Sequence, residues 1–192
     1  MIEKCTTKSW ETSLYEPQKL YYNLMGEKIL TDKNVKSAYY MAKHKKSCDS
    51  PAWDGMTRTI LVDGMEPEHA WSLIRYHVLH GPSGCVKRFD IPKSNGKTRP
   101  ISIYPLLDRV AQWCIMEPLR KACGPLLSPI NHAFLKGKSC KTAFEAFPPA
   151  GEASYVICGD IHSFFDTVSH SLVRACLWSA GIRDSQLLHT IN

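Results

Sequence analysis

A single aspartate closes an apolar run and is the first candidate for chemistry. The segment SYVICGDI, residues 154–161, is almost continuously apolar, which predicts a buried strand with Asp160 at its C-terminal edge. A carboxylate in that place is costly to bury, so it usually binds a cation or accepts strong hydrogen bonds. Enzymes that transfer phosphoryl or nucleotidyl groups use such carboxylates to hold Mg²⁺. One carboxylate cannot hold two ions, and Asp166 is explained more simply as the N-cap of the following helix.

Cations cluster in two further segments. The segment IPKSNGKTRPISI, residues 91–103, predicts a hairpin that carries Lys93, Lys97 and Arg99. Cations on a stiff hairpin suit a triphosphate or a nucleic-acid backbone, because they need little ordering on binding. An exposed hairpin without a ligand explains the same residues. The segment HAFLKGKSC places a basic loop at residues 136–139, which suits a template backbone, with a solvated loop as an equal alternative.

Positive charge is concentrated in the part of the chain that holds both basic segments. The 192 residues carry a net charge of +6. Residues 81–141 carry +8, from eleven Lys and Arg against three acids, and the rest of the chain carries −2. Such a basic block favours a polyanionic partner, because Lys and Arg displace counterions from phosphates. A solubilising basic face is the alternative.

Composition excludes several classes of protein. Hydrophobic residues make up 44% of the chain and charged residues 22%, which is typical of a folded protein rather than a disordered one. No run approaches the roughly 18 apolar residues that a membrane-spanning helix needs. The first ten residues do not resemble a signal peptide, so we expect a cytoplasmic protein. The eight cysteines contain no CxxC pair and are expected to be reduced thiols, several of them buried.

Helical periodicity predicts two helices ahead of the hairpin. Apolar residues at helical spacing indicate the first, and the second begins near Pro67 and ends at His80, because Gly81 and Pro82 follow. The residues expected on one face are Val35, Ala38, Tyr39 and Ala42 in the first helix and Ala70, Leu73, Ile74, His77 and Val78 in the second.

Local signals predict the turn of the hairpin and the ends of two later helices. The Asn-Gly pair in SNGK favours a tight turn in which both central residues take positive φ. Asp108 is expected to cap a helix. A further helix is predicted over residues 168–179, with Asp166 as its N-cap and Gly181 as its C′ residue. The apolar side of the helix after Asp108 is expected to hold Val110, Ala111, Cys114 and Ile115.

The order of these segments resembles that of one protein family. The blocks RFDIPKSNGKTRPISIYPLLDRVAQ, NHAFLKGKSC and YVICGDIHSFFDTVSHSL closely resemble successive blocks of a reverse transcriptase, most of all of the bacterial group II intron-encoded type. With the upstream WDGMT, the resemblance spans about residues 43–172. It implies an α+β fold that is part of a right-hand polymerase. We expect a helical leader and the start of the fingers over residues 1–80, and the fingers hairpin with the first strand and helix of an incomplete palm over residues 81–192.

The resemblance also implies roles for individual residues near the reaction centre. Asp160 corresponds to the first catalytic, metal-binding aspartate of the palm, and Ile161 to the neighbour whose backbone carbonyl helps to bind Mg²⁺. Phe165 corresponds to the aromatic residue that stacks under the incoming sugar and excludes a 2′-hydroxyl. Lys93 and Arg99 correspond to the fingers residues that reach the incoming triphosphate.

Contacts with RNA are expected from the remaining cations. These are Lys97 on the hairpin and the loop that contains Lys136, Lys138 and Ser139, which stands where the family has an arginine-bearing FRPGRS-like loop. Lysines replace both arginines here, which keeps the charge but loses the bidentate geometry of a specific backbone contact.

The implied reaction is RNA-templated DNA synthesis, in which a primer 3′-hydroxyl attacks the α-phosphate of a deoxynucleotide. The expected partners are an RNA template (intron RNA), a DNA primer and deoxynucleoside triphosphates, with Mg²⁺ as cofactor. The family's aromatic-x-Asp-Asp turn is absent from the 192 residues, so we expect a fragment or a truncated copy that is inactive alone. The alternative is a non-catalytic RNA-binding module of the maturase kind, and retron, diversity-generating and phage-defence relatives stay open.

Overall fold

The computed structural model describes residues 19–191, except for Lys93, Asn95, residues 148–154, Val156 and the side chains of Phe165 and Asp166. The described part combines helices with an antiparallel sheet, so the predicted α+β class is confirmed. None of its helices is both long and apolar enough to cross a membrane. The helices are α1 (Asp32–His44), α2 (Arg58–Val62), α3 (Pro67–His80), α4 (Leu106–Cys123), α5 (Cys140–Glu145), α6 (Phe164–Thr167), α7 (His170–Ser179) and α8 (Ser185–Thr190). The strands are β1 (Lys87–Pro92) and β2 (Thr98–Ile103), a π-helix spans Met25–Ile29, and 3₁₀ turns span Lys46–Asp49 and Gly124–Leu126.

Three helices form the centre of the core. α1, α3 and α4 pack against one another, and each buries one apolar face. The faces predicted for the first two are confirmed by their buried residues, which are Val35, Ala38, Tyr39 and Ala42 in α1 and Ala70, Ile74 and Val78 in α3. Burying a Val or Ile side chain stabilises a fold by about 1.5–3 kcal/mol. The contact between these helices is therefore a main source of stability.

Residues at the helix ends fix where α1 and α3 begin and end. The Thr31 hydroxyl accepts a hydrogen bond from the Asn34 N–H (3.4 Å) and caps α1. Pro67 opens α3, because its fixed φ suits the first helical position. α3 ends at His80, as predicted, since Gly81 has a φ of +80° that glycine adopts without strain.

The predicted N-cap of α4 is wrong. Asp108 lies inside the first turn of this helix, and Pro105 occupies the N-cap position. The helix starts earlier because Leu106 and Leu107 are themselves buried, and because the Asp108 carboxylate bonds to groups of other elements. The predicted apolar face is confirmed: Val110, Ala111 and Cys114 are buried, and Ile115 packs against the core.

The strands β1 and β2 pair antiparallel, but the predicted two-residue turn is wrong. Pro92 lies opposite Thr98, so residues 93–97 connect the strands. A two-residue Asn-Gly turn would pair Phe89 with Ser102, whereas the observed register pairs Phe89 with Ile101 on one face. Gly96 takes the expected positive φ, +76°. β1 is exposed throughout and β2 mostly so, and the hairpin therefore projects from the core.

α7 is capped by Ser169 and not by Asp166, which corrects the prediction. The Ser169 hydroxyl accepts a hydrogen bond from the Leu172 N–H (3.4 Å). Asp166 lies inside α6, and the chain becomes extended at Val168 before α7 begins, so Asp166 is too far back to cap it.

The C′ position predicted for Gly181 is confirmed. Its φ is +93°, its N–H donates to the Trp178 carbonyl, and the next N–H, of Ile182, donates to the Leu177 carbonyl, both at 3.0 Å. A Cβ at position 181 would lie 2.4 Å from the Lys19 carbonyl oxygen, so the close approach of that segment also requires glycine. The end of α7 is thereby fixed to the segment that starts the described chain.

The described residues of the segment 154–161 do not form the predicted buried strand. The described residues of this segment, 155 and 157–161, lack strand structure and are exposed, with Ile157 at 85%. A buried strand needs neighbouring strands that bond its N–H and C=O groups. The sheet in the described part of the chain contains β1 and β2 alone, so the segment has no partner there.

Candidate functional site

Asp160 and Ile161 lie in an exposed loop that leads into α6. The Asp160 carboxylate makes no hydrogen bond or ion pair with the described residues. A free carboxylate with a backbone carbonyl beside it is a donor pair that a hard cation such as Mg²⁺ accepts. No group of three or more His, Cys, Asp or Glu side chains gathers elsewhere in the described ranges. Asp160 and Ile161 therefore offer two accessible oxygen donors, and the described residues around them do not complete a closed metal site.

A constrained turn connects Asp160 to α6. Ser163 has a φ of +50°, which is uncommon for a residue other than glycine. The Thr167 hydroxyl donates to the Ser163 carbonyl (3.0 Å) and closes the short helix over this turn. The backbone places Phe165 at the second position of α6, five residues after Asp160. The predicted contact of its ring with a sugar falls on a side chain outside the described residues.

A buried carboxylate, Asp184, holds the chain just after α7 to the core. Its role was not predicted from the sequence. Asp184 accepts hydrogen bonds from the Met25 N–H (2.7 Å) and from the Leu187 N–H (3.0 Å), and so caps α8 while it binds the π-helix. The Tyr21 N–H donates to the Gly181 carbonyl (2.9 Å) beside it. The signal in the sequence was an Asp directly before a short apolar helix.

The hairpin presents Arg99 on an apolar face. Arg99 lies opposite Ile91, so its side chain shares a face with Phe89 and Ile91, both of them exposed. The Arg99 guanidinium makes no hydrogen bond or ion pair with another described residue. Lys97 is exposed beside β2. The predicted triphosphate contact of Lys93 falls outside the described residues.

The loop before α5 holds the other predicted RNA contacts. Lys136 is exposed and bonds to no described residue, whereas Lys138 donates to the Pro129 carbonyl (3.3 Å). Ser139 caps α5: its hydroxyl accepts from the Thr142 N–H (3.3 Å), and its own N–H donates to the Thr142 hydroxyl (2.8 Å). The loop is thus built on a capping box that leaves Lys136 accessible.

Exposed charges of both signs are therefore carried on separate elements. Arg99 lies on β2, Lys136 on the loop before α5, and Asp160 on the loop before α6. The structure leaves these groups accessible to a ligand, but it does not join them in one enclosed cavity. A cavity of about 690 Å³ between α3, α4, α7 and α8 is lined mostly by apolar side chains, and none of the predicted site residues lines it.

The sequence analysis also missed the role of Asp108. Its carboxylate, 2% exposed, bonds to His77 on α3 and to Ser83 ahead of β1. The signal was its place in the helical pattern, because position 108 falls between the buried positions 107 and 110–111 of the same helix.

The cysteines agree with the prediction of reduced thiols. All those described are free, and Cys48 and Cys114 are buried as small apolar residues. Burial raises the pKa of the Cys114 thiol to about 12, so it stays protonated and unreactive at neutral pH.

Comparison with known proteins decides the family. Residues 91–191, more than half of the chain, match the family model described as "Reverse transcriptase (RNA-dependent DNA polymerase)". The chain belongs to the reverse transcriptase family. The matched residues of this reverse transcriptase chain begin within the hairpin and include the basic loop and Asp160. The resemblance stated from the sequence is thereby confirmed.

Three relatives place this reverse transcriptase chain among intron-associated and bacterial proteins. Protein YkfC of Escherichia coli is 30% identical over 136 residues, which are 67% of this chain and 35% of YkfC. Group II intron-encoded protein LtrA of Lactococcus lactis is 31% identical over 87 residues, 44% of this chain and 14% of LtrA. An uncharacterized 91 kDa protein in the cob intron of Schizosaccharomyces pombe is 30% identical over 106 residues, 55% of this chain and 13% of that protein. The chain thus spans about a third of the length of YkfC and a smaller share of the other two proteins.

Proposed function

We propose that this chain serves RNA-directed DNA synthesis in a group II intron-type enzyme, as the fingers and the first part of a right-hand palm. The observation that carries the proposal is the match over residues 91–191, which unites an exposed cationic hairpin, a basic loop and the exposed carboxylate of Asp160. The proposed division is a leader and the start of the fingers over residues 1–80, followed by fingers and palm over residues 81–192. We place the enzyme in the cytoplasm.

Asp160 is the proposed catalytic carboxylate. Its free side chain and the Ile161 carbonyl would hold Mg²⁺, together with ligands outside the described residues. When bound, the metal supplies charge stabilisation for the attacking and leaving oxygens of nucleotidyl transfer. The task of Asp160 is to fix that charge next to the incoming nucleotide, and its constrained turn at Ser163 suits a fixed position.

The incoming deoxynucleotide is the proposed ligand of the hairpin and α6. Lys93 and Arg99 would bind its triphosphate, because an arginine guanidinium matches phosphate oxygens in two parallel hydrogen bonds. The apolar face that Arg99 shares with Phe89 and Ile91 is accessible for the less polar part of the nucleotide or template. Phe165 would lie under the sugar and exclude a 2′-hydroxyl by its volume.

The template RNA is the proposed ligand of Lys97, Lys136, Lys138 and Ser139. Lys136 is the strongest of these, since it is exposed and bonds to no described residue. The Ser139 hydroxyl already accepts a bond from its own helix, so only its proton remains for a phosphate. A lysine contact of this kind adds affinity without reading sequence.

A non-catalytic RNA-binding module is the second candidate. It is favoured by the concentration of charge, +8 over residues 81–141, beside a single candidate metal carboxylate. In that case the same cations would grip the RNA, and Asp160 would have no role in a reaction.

Primer extension on an RNA template separates the two. The protein that contains this chain is given a DNA primer annealed to RNA, deoxynucleotides, and either Mg²⁺ or a chelator in excess. The proposal expects RNA-templated extension that stops on chelation, with RNA binding retained. RNA binding without extension in Mg²⁺ or Mn²⁺ would contradict the proposal and support the binding module.

A further inference from the structure

Asp108 is one of two buried carboxylates in the described part of the chain, the other being Asp184. Both carboxylate oxygens of Asp108 are hydrogen-bonded. Oδ1 lies 2.9 Å from His77 Nδ1, and Oδ2 accepts from the Ser83 hydroxyl (2.7 Å) and the Ser83 N–H (3.1 Å). Its place in the first turn of α4 adds a favourable interaction with the helix dipole. The carboxylate therefore fixes three elements against one another.

These three elements include both stems of the hairpin. Ser83 lies four residues before β1 begins, and Asp108 lies five residues after β2 ends. The Asp108–Ser83 bonds thus close the base of the hairpin. His77, near the end of α3, joins that base to the helical core.

Little else in the described structure fixes the direction of the hairpin. Its strands are exposed on most of both faces, so they gain no orientation from packing on the core. A second contact at the base, from the Trp53 ring N–H to the Cys85 carbonyl (3.1 Å), involves an exposed ring. An arm anchored at its base points where the base directs it.

We propose that Asp108 is a positioning residue, whose carboxylate, through Ser83 and His77, holds the hairpin in the direction that presents Arg99 to the incoming triphosphate. The nucleotide part of this inference rests on the proposed function. The positioning part rests only on the contacts of Asp108. Because both oxygens of this buried carboxylate are hydrogen-bonded, we expect the network to be rigid.

The first test measures hairpin direction in the 192-residue chain. Spin labels are attached to ketone-bearing amino acids placed at Ser94 on the hairpin and at His69, an exposed position on α3, so that native thiols are not labelled. Asp108→Ala is compared with Asp184→Ala, which removes the other buried carboxylate at a helix start, one whose hydrogen bonds go to Met25 and Leu187 and not to the hairpin stems. Asp108→Asn is the conservative variant, because its amide can still accept from Ser83 and donate to His77.

We expect a broadened label-to-label distance distribution in Asp108→Ala and a narrow one, as in the parent chain, in Asp184→Ala and Asp108→Asn. Equal widths in all variants, or equal broadening in Asp184→Ala, would overturn the inference. If Asp108→Ala does not fold, Ser83→Ala decides by the same criterion, since it removes the 2.7 Å hydroxyl bond to Asp108 and keeps the 3.1 Å bond from the Ser83 N–H.

The second test measures kinetics in the polymerase that contains the chain. Asp108→Ala is expected to raise the KM for deoxynucleotide about tenfold with little change in kcat, as loss of one charge-assisted contact does, while Asp184→Ala, which does not bond to the hairpin stems, raises KM much less. A raised KM in Arg99→Ala without one in Asp108→Ala would overturn the positioning role. An unchanged KM in both, with the hairpin still loosened in Asp108→Ala, would instead contradict the proposed nucleotide contact and leave the positioning role standing.

Discussion

The chain divides into a core region, which packs its apolar side chains, and a presenting region, which exposes the candidate site residues. The core region comprises residues 19–86, 104–123 and 181–191, and it contains every buried hydrophobic residue of the described chain, from Leu24 to Leu187. The presenting region comprises residues 87–103 and 124–180. It holds all the candidate site residues, and large apolar side chains in it, such as Phe134 at 91%, are exposed. Stability and chemistry are thus assigned to different parts of one chain.

The difference explains how the presenting region stays in place without a core of its own. Its hairpin is held at the base by Asp108, and its last helix by Gly181 and Asp184. Substitutions in the two regions should therefore affect different measurements.

Salt dependence of RNA binding gives the largest expected effect. We expect the affinity of the chain for RNA to fall about a thousandfold between roughly 50 and 200 mM salt, because binding releases phosphate counterions. Lys136→Gln should reduce the slope of log K against log salt by about one. Lys28→Gln, an exposed lysine of the core region, is the control and should not change it. A slope of log K against log salt near zero would contradict the assignment of RNA binding to the cations of the presenting region.

A matched pair of isoleucines tests which region carries stability. Ile74→Ala should lower the free energy of unfolding by about 2–5 kcal/mol, because it leaves a cavity among α1, α3 and α4. Ile157→Ala, at an exposed position, should change it by about 0.5 kcal/mol or less. Chemical denaturation of both variants measures the difference. Equal costs would show that the presenting region packs more than the structure indicates.

Arg99 tests what the hairpin binds. Arg99→Ala should raise the KM for deoxynucleotide by about 10- to 150-fold, which corresponds to a charge-assisted contact of about 1.5–3 kcal/mol. Arg58→Ala is the control, since Arg58 is paired with Asp49 (2.9 Å) in the core region. Steady-state extension and RNA affinity are measured together. If RNA affinity falls by that factor while KM is unchanged, the hairpin is a clamp for the RNA backbone.

Phe165 gives the smallest and most selective effect. Phe165→Val should lower the ratio of kcat/KM for deoxynucleotide over ribonucleotide by about tenfold, or 1.4 kcal/mol, because a smaller side chain admits the 2′-hydroxyl. Phe164→Val removes the same volume from the neighbouring ring and is the control. Equal slowing with both substrates, together with a lower Tm, would assign Phe165 to packing.

The core region could be predicted from the sequence, because its signals are local. The periodic apolar residues of α1 and α3 and the glycines at 81 and 181 determined those elements correctly. Errors arose where a non-local partner decides. The apolar run of residues 154–161 predicted a strand. A strand also requires neighbouring strands, and the periodicity of the sequence does not show whether these exist. Asp108 was predicted to be an N-cap, but its carboxylate bonds instead to distant partners on α3 and before β1.

The candidate site was found by the order of its motifs, and its geometry was not predictable in the same way. Asp160, Arg99 and Lys136 were identified by type and context, and the structure shows them exposed on separate elements. Nothing local in the sequence indicated that the segment around Asp160 would be an open loop, since its apolar residues favour burial.

Replacing Asp160 gives the most direct test, since this residue is proposed to serve the reaction and not the stability of the fold. In the polymerase that contains the chain, Asp160→Asn keeps the shape of the side chain and removes the charge that holds Mg²⁺. Extension rate and Tm are measured on the same sample, with Asp63→Asn as an exposed control in the core region. We expect extension to be lost in Asp160→Asn while Tm and RNA affinity are unchanged. Retained extension with a lowered Tm would contradict it.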